Sequence, residues 1–387
     1  MTPSLPPPSD EALRHGEHVA ALLRGEIAAQ GGWLPFSRFM ELALYAPGLG
    51  YYSAGLHKFG ATGDFVTAPE ISALFGRTLA RQAAQILAAT GGDLLEIGAG
   101  SGRLALDLLR ELEALDVAPP RYLILEVSAD LRQRQRRLLE EHAPRLAARV
   151  SWLEALPASF NGVILGNEAL DAMPVELAVW RDGGIFRRGV AWEGEAFCWR
   201  DQALAEGALY QCAARLPPAN FGIDYVSEIA PAANGFIASL AACLERGAML
   251  FIDYGFGESE YYHPQRDGGT LMCHYRHHAH ADPLILPGLQ DITAHVDFSA
   301  VARSGVEAGL DLLGYASQAH FLLNCGLTDL LGRLAPEDAS AYLPLAAQAQ
   351  KLVSPAEMGE LFKVVALGKG LAEPLLGFVR GDKRHVL

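Results

Sequence analysis

Cysteine is scarce and unpatterned: five residues (Cys198, Cys212, Cys243, Cys273, Cys325) in a chain of 387, odd in number and without a C-x-x-C pair. That excludes a disulfide framework and a structural zinc site, and it fits a reduced, intracellular setting. Positive charge is also short, with 31 Lys and Arg against 45 Asp and Glu and a formal net charge of −14. A broad phosphate-binding face is therefore not expected, nor nucleic acid as the main partner. No segment is long and apolar enough to span a bilayer, and the proline-rich start from Met1 to Asp10 has no apolar signal region. The expectation is a soluble, cytoplasmic protein. Half of its residues are hydrophobic, enough to bury one large core and carry a second subdomain.

The densest signal is the run Asp93-Leu94-Leu95-Glu96-Ile97-Gly98-Ala99-Gly100-Ser101-Gly102-Arg103. Asp93 to Ile97 reads as one buried parallel strand. Three alternating glycines then allow a sharp turn and close approach to a ligand. Leu104, Leu108, Leu112 and Leu115 recur at helical spacing, so a helix starts near Arg103 with its N–H groups facing the turn. A dinucleotide fingerprint needs a small residue five places after Gly98, where the large Arg103 stands. The pattern Glu-x-Gly-x-Gly-x-Gly instead resembles motif I of the class I S-adenosylmethionine-dependent methyltransferases. A tight turn without a ligand is the plainer alternative.

A second strand, Arg121 to Glu126, ends in a carboxylate 24 residues past Gly102. A carboxylate there can accept from both vicinal hydroxyls of an adenosine ribose, so Glu126 is read as the ribose ligand rather than a solvated charge. Ser128 is the expected N-cap of a helix to His142. Arg149 to Leu153 and Gly162 to Gly166 read as strands three and four, and Ala248 to Tyr254 as strand five. Asp311 to Ala316 and Leu361 to Leu367 complete a seven-stranded sheet. Val175 to Arg200 alternates around Asp182-Gly183-Gly184 and Glu193-Gly194-Glu195, which marks an antiparallel insertion.

Upstream, helices are expected from Glu11 to Gln30 and from Phe36 to Tyr45, the latter capped by Ser37. A glycine- and aromatic-rich loop over 46–66 has the makings of a lid or binding loop. Thr67-Ala68-Pro69-Glu70 fits a capping box opening a helix through residue 90. The fold expected is α/β: a doubly wound, Rossmann-like sheet with an N-terminal helical and loop region and an insertion after strand four. The organisation is a disordered lead over 1–10, a helical and lid region over 11–90, and a cofactor-binding part over 91–173. The insertion over 174–225 follows, and the remainder of the domain over 226–387 carries substrate-site loops at 255–298.

Ligands of such sheets sit beyond the carboxyl ends of the strands. That places Asn167, Glu168 and Asp171, which follow strand four, beside the reacting methyl. Two carboxylates suit a guanidinium or ammonium nucleophile that must be oriented and must lose a proton. Helix capping is the plainer reading of the same residues. The Asn/Asp-Pro-Pro-Tyr signature of nucleobase amino-methyltransferases is missing, which counts against a DNA substrate. His274, His277, His278 and His280 crowd into seven residues. Metal is not expected there without partners at ligand spacing, leaving a surface cluster or a wall of the substrate site. Asp291 to Phe298 alternates as one strand, with Ile292, Ala294, Val296 and Phe298 inward and Asp291, Thr293, His295 and Asp297 on the other face.

Seven motifs stand in one order: Gly63-Asp64-Phe65-x-Thr67-x-Pro69-Glu70, Leu95 to Gly102, Asn167-Glu168-x-x-Asp171-Ala172-x-Pro174, Asp253-Tyr254-Gly255, Gly269-Thr270, Asp297-Phe298 and Met358-Gly359-x-Leu361-Phe362. Together they resemble the MidA-like family, methyltransferase relatives of a mitochondrial complex I assembly factor, over about residues 11–370. The resemblance implies S-adenosylmethionine as cofactor. In the mitochondrial branch it implies symmetric dimethylation of an arginine on a respiratory-complex subunit. It favours His277 and His280 over His278 and His295. Asp64, Thr67 and Pro69 are expected at the methionine end of the cofactor. Glu96, Gly98, Ala99, Gly100, Gly102, Glu126, Val127, Leu153 and Asn167 complete the cofactor set. The expected catalytic set is Glu168, Asp171, Asn167, His277 and His280. Protein arginine N-methylation leads; an assembly partner with a vestigial pocket and a small-molecule methyltransferase are the alternatives.

Overall fold

The computed structural model describes residues 5–54, 67–333 and 338–387. The chain divides into two compact units, Val66–Leu170 with Gly235–Gly255 and Phe298–Leu387, and Met1–Phe65 with Asp171–Asn234 and Phe256–Asp297.

The first unit is built on seven strands: β1 Asp93–Ile97, β2 Tyr122–Leu125, β3 Val150–Leu153, β4 Phe160–Asn167, β5 Leu244–Phe256, β6 Asp311–Ser317 and β7 Phe362–Lys369. Their order is β6-β7-β5-β4-β1-β2-β3. All pairings are parallel except those of β7 with β5 and β6. This is the doubly wound, seven-stranded sheet the sequence points to. Every residue of β1 is buried, as a central parallel strand requires. Helix Arg103–Ala114 turns Leu104, Leu108 and Leu112 inward, and helix Ala73–Thr90 adds Leu79, Ala83 and Ile86 to the same core.

Register decides where the site can form. Ile97 of β1 pairs with Leu125 of β2 and Gly166 of β4, and Leu125 pairs with Leu153 of β3. Gly98, Glu126 and Asn167 are the next residues, so the three lie along one edge, the carboxyl ends of the parallel strands. At the opposite edge the backbones crowd. A Cβ on Gly162 would sit 2.0 Å from the Asp93 carbonyl oxygen, and one on Gly247 would sit 1.9 Å from that of Gly162. Only glycine fits there, and both residues also have φ above +120°.

The second unit holds helices Asp10–Ala29 and Phe36–Tyr45 and two antiparallel sheets. One runs Leu34–Pro35, Gly184–Glu193, Glu176–Arg181, Tyr225–Ile229, with Ala196–Ala203 paired to Gly184–Glu193. Its hairpin turns fall at Asp182-Gly183 and Gly194-Glu195, all four at positive φ, as the turn signals imply. The other runs His278–His280, Met272–Tyr275, Asp291–Thr293.

Four local expectations need correction. Ser37 does not cap its helix; Pro35 holds the cap position and the Ser37 hydroxyl donates to Glu176 at 2.7 Å. The helix expected from Thr67 to residue 90 breaks at Ser72, which is extended and caps a second helix, Ala73–Thr90, by accepting from the Leu74 N–H. Thr67 makes no side-chain cap bond, and Glu70 takes the Ser101 hydroxyl instead of closing a capping box. Asp291 to Phe298 is not one strand: Asp291–Thr293 and Val296–Asp297 are separate, and Phe298 opens a helix. Of the proline-rich lead, residues 1–4 lie outside the described residues, as does the loop from 55 to 66 with Asp64.

Candidate functional site

The turn after β1 uses its three glycines as the sequence requires. Gly98, Gly100 and Gly102 have φ of 65°, 53° and 86°, values that an L side chain strains to adopt. The turn is pinned where the Gly98 N–H donates to the Leu125 carbonyl at 3.0 Å and the Gly102 N–H to that of Ala99 at 2.8 Å. Among the described residues, a Cβ on Gly98 would meet nothing within 4 Å. Gly102 is the N-cap of Arg103–Ala114 and has no side chain to cap it, and the Ser101 hydroxyl oxygen accepts from the Arg103 N–H at 3.3 Å. The Ser101 hydroxyl donates to Glu70, tying helix Ala68–Ile71, which follows Thr67 and contains Pro69, to the turn.

Glu126 is only 6% exposed. Its Oε1 accepts from the Ser128 N–H at 2.9 Å and its Oε2 from the Gln135 amide at 3.1 Å. Burial pushes its carboxyl above the ordinary value, and these hydrogen bonds pull against that shift. The Val127 N–H adds a further backbone donor. Two carboxylate oxygens offer about four acceptor sites, which leaves capacity for a vicinal diol. Val127 follows and is 74% exposed. Beneath the turn, Glu96 is buried and accepts from the Tyr122 hydroxyl at 2.6 Å. Burial raises its carboxyl to about 7, the nearby Glu126 charge adds to the rise, and the Tyr122 bond opposes it.

Beyond β4, Asn167 donates to Glu168 Oε1 at 3.0 Å, while its own Oδ1 is buried with no hydrogen-bond partner among the described residues. Glu168 has φ +51°, left-handed backbone that costs a non-glycine residue energy and clusters at working sites. Its N–H donates to Ile252 at 2.8 Å, which holds it there. Asp253, at the end of β5, is buried and accepts from the Leu170 N–H at 3.0 Å, fixing the segment after Glu168. The sequence groups Glu168 with Asp171, but the unit boundary falls between Leu170 and Asp171. In its own unit Asp171 is buried, as is Asp291, whose Oδ1 takes the Tyr52 hydroxyl at 2.9 Å.

The histidines separate. His277 is exposed at a two-residue hairpin turn with Arg276, both at positive φ, and His278 is exposed beside it. His280 is buried, its Nδ1 accepting from the Asp282 N–H at 3.3 Å, and burial lowers its imidazole below the ordinary value. Among the described residues no cluster of three His, Cys, Asp or Glu side chains could hold a metal ion.

Residues 78–316 match a sequence family described as S-adenosyl-L-methionine-dependent methyltransferases. The chain belongs to that family. Among its relatives, the mouse protein arginine methyltransferase NDUFAF7, mitochondrial, is 30% identical over 375 residues, covering 87% of this chain and 81% of the relative. The Caenorhabditis elegans NDUFAF7 homolog is 26% identical over 366 residues, covering 85% and 81%. A crystallised superfamily member from Burkholderia thailandensis bound to S-adenosyl-homocysteine is 53% identical, with a TM-score of 0.95, covering 99% of this chain and all of that one. The cofactor of this methyltransferase is S-adenosylmethionine. The residues here suit it: a glycine turn at positive φ, a preorganised buried carboxylate at Glu126 and a buried Asn167 amide oxygen with no partner among the described residues.

Reading the sequence missed Gln135, which is fully buried and touches three parts of this edge. It also missed the Tyr122 and Ser101 partners, because no periodicity marks a single polar residue whose partner is distant in sequence.

Proposed function

We propose that this methyltransferase modifies a guanidinium nitrogen of arginine in a protein substrate. The observation that carries the reading is the mouse relative, named a protein arginine methyltransferase and alike over 87% of this chain. Bound S-adenosylmethionine supplies an electrophilic methyl on a sulfonium. The chain's own part is to hold the cofactor, orient a cationic side chain and accept a proton. Gly98, Gly100, Gly102 and Glu126 would hold the nucleoside. Glu168 is kept in a strained conformation at the end of β4 and offers a carboxylate for the guanidinium.

The test is incubation with isotopically labelled cofactor and a cell extract, followed by peptide mass spectrometry. Methylarginine in a protein is the expected product; label confined to metabolites would replace this reading with small-molecule methylation. Glu168→Gln should lower kcat about a hundredfold, as loss of a positioned proton acceptor does, while S-adenosylhomocysteine affinity stays within about threefold, since the cofactor's own contacts are untouched. Unchanged turnover in that variant would remove Glu168 from the chemistry.

A further inference from the structure

Gln135 lies on helix Ala129–His142 and is fully buried among arginine-rich neighbours that face outward. Its amide is satisfied at both ends. The Nε2 group donates to the Gly100 carbonyl at 2.9 Å and to Glu126 Oε2 at 3.1 Å, and Oε1 accepts from the Trp152 indole N–H at 2.8 Å. This orientation is the one the partners dictate. Rotating the amide by 180° would set its oxygen against two acceptors and its NH2 against a donor. The backbone takes part as well: a Cβ on Gly102 would lie 3.2 Å from the Gln135 Cα. One residue thus touches the second and third glycines of the turn, the carboxylate after β2 and the tryptophan of β3.

Those elements come from separate stretches of sequence, and no backbone pairing sets the side-chain direction of Glu126. A buried carboxylate with one missing donor would turn or take up a proton, because its charge would lose part of its compensation. We propose that Gln135 is a positioning residue for the cofactor, holding the Gly100 turn and the Glu126 carboxylate in a single arrangement toward the ribose. It acts through Glu126 and Gly100, and its role does not depend on what the methyl acceptor is.

Calorimetric titration of the full chain with S-adenosylhomocysteine tests this, using wild type, Gln135→Met, Gln135→Glu and Trp152→Phe. Gln135→Met keeps the volume and removes both donors, and should weaken binding about tenfold or more. Trp152→Phe removes only the bond on the far side of the amide and should change affinity less than about threefold. Gln135→Glu places a second carboxylate against Glu126 while keeping the acceptor for Trp152. Its deficit relative to wild type should be large near pH 8 and narrow toward pH 6, as the new carboxyl gains a proton and can donate again. A packing defect has no reason to titrate in that way. Both Gln135 variants binding within twofold of wild type would overturn the proposal, and so would a Gln135→Glu deficit that is the same at both pH values. If Gln135→Met does not fold, the Gln135→Glu titration decides alone. A wild-type chain that fails to bind would overturn the cofactor reading together with this one.

Discussion

Replacing Glu126 with alanine should raise the dissociation constant for S-adenosylhomocysteine by a factor of about 10² to 10⁴, through loss of two charge-assisted hydrogen bonds worth about 1.5–3 kcal/mol each. The size follows from preorganisation. Glu126 is already 6% exposed and held by Ser128 and Gln135 before any ligand arrives. The cost of burying the carboxylate is therefore met in folding, and its bonds to a ligand count nearly in full. The same burial sets a pH dependence. The carboxyl titrates above its ordinary value, so affinity should fall as pH drops through that raised value and the acceptor is lost. Glu126→Gln should bind weakly at every pH and show no such decline. Isothermal titration at several pH values reads both effects; an alanine variant within about threefold of wild type would remove Glu126 from the ribose site.

Glu96→Gln should flatten the pH dependence of folding stability. Burial holds the Glu96 carboxyl at about 7 in the folded chain against 4.5 ordinarily. A raised folded-state value contributes stability that is fully present below the unfolded value and is lost as pH rises through the folded one. The window is thus about pH 4.5 to 7, and a shift of that size corresponds to about 3 kcal/mol by pH 8. Glutamine keeps an acceptor for the Tyr122 hydroxyl and never ionises. Relative to wild type it should gain up to about 3 kcal/mol between pH 4.5 and 8. Urea unfolding at the two ends of the window measures the difference, and a constant gap between the proteins would show that Glu96 does not titrate there.

The architecture was legible because its signals are local. β1 is a short strand with Leu94, Leu95 and Ile97 at its heart, and Gly98, Gly100 and Gly102 sit at positions whose φ demands glycine. Glu126 was legible for a related reason, since strand pairing carries it to the carboxyl edge whatever its side chain does. What escaped depends on partners far away in sequence. Thr67 to Glu70 looks like a capping box, but Ser101 competes for Glu70 and the helix breaks at Ser72. Ser37 looks like a cap, but Glu176, 139 residues on, takes its hydroxyl. Gln135 sits in a run of charged and polar residues, and nothing in that composition tells a fully buried amide from a solvated one.

The crowded glycines at the far edge of the sheet bear on how damaging alleles should be read. A side chain at Gly162 or Gly247 would collide with backbone carbonyls of the adjoining strand, which cannot move aside as a side chain can. Neither position borders the carboxyl ends of the strands. Inherited or screened changes at these two codons would deplete the protein through unfolding and proteolysis. A phenotype from them would report abundance and say nothing about methyl transfer.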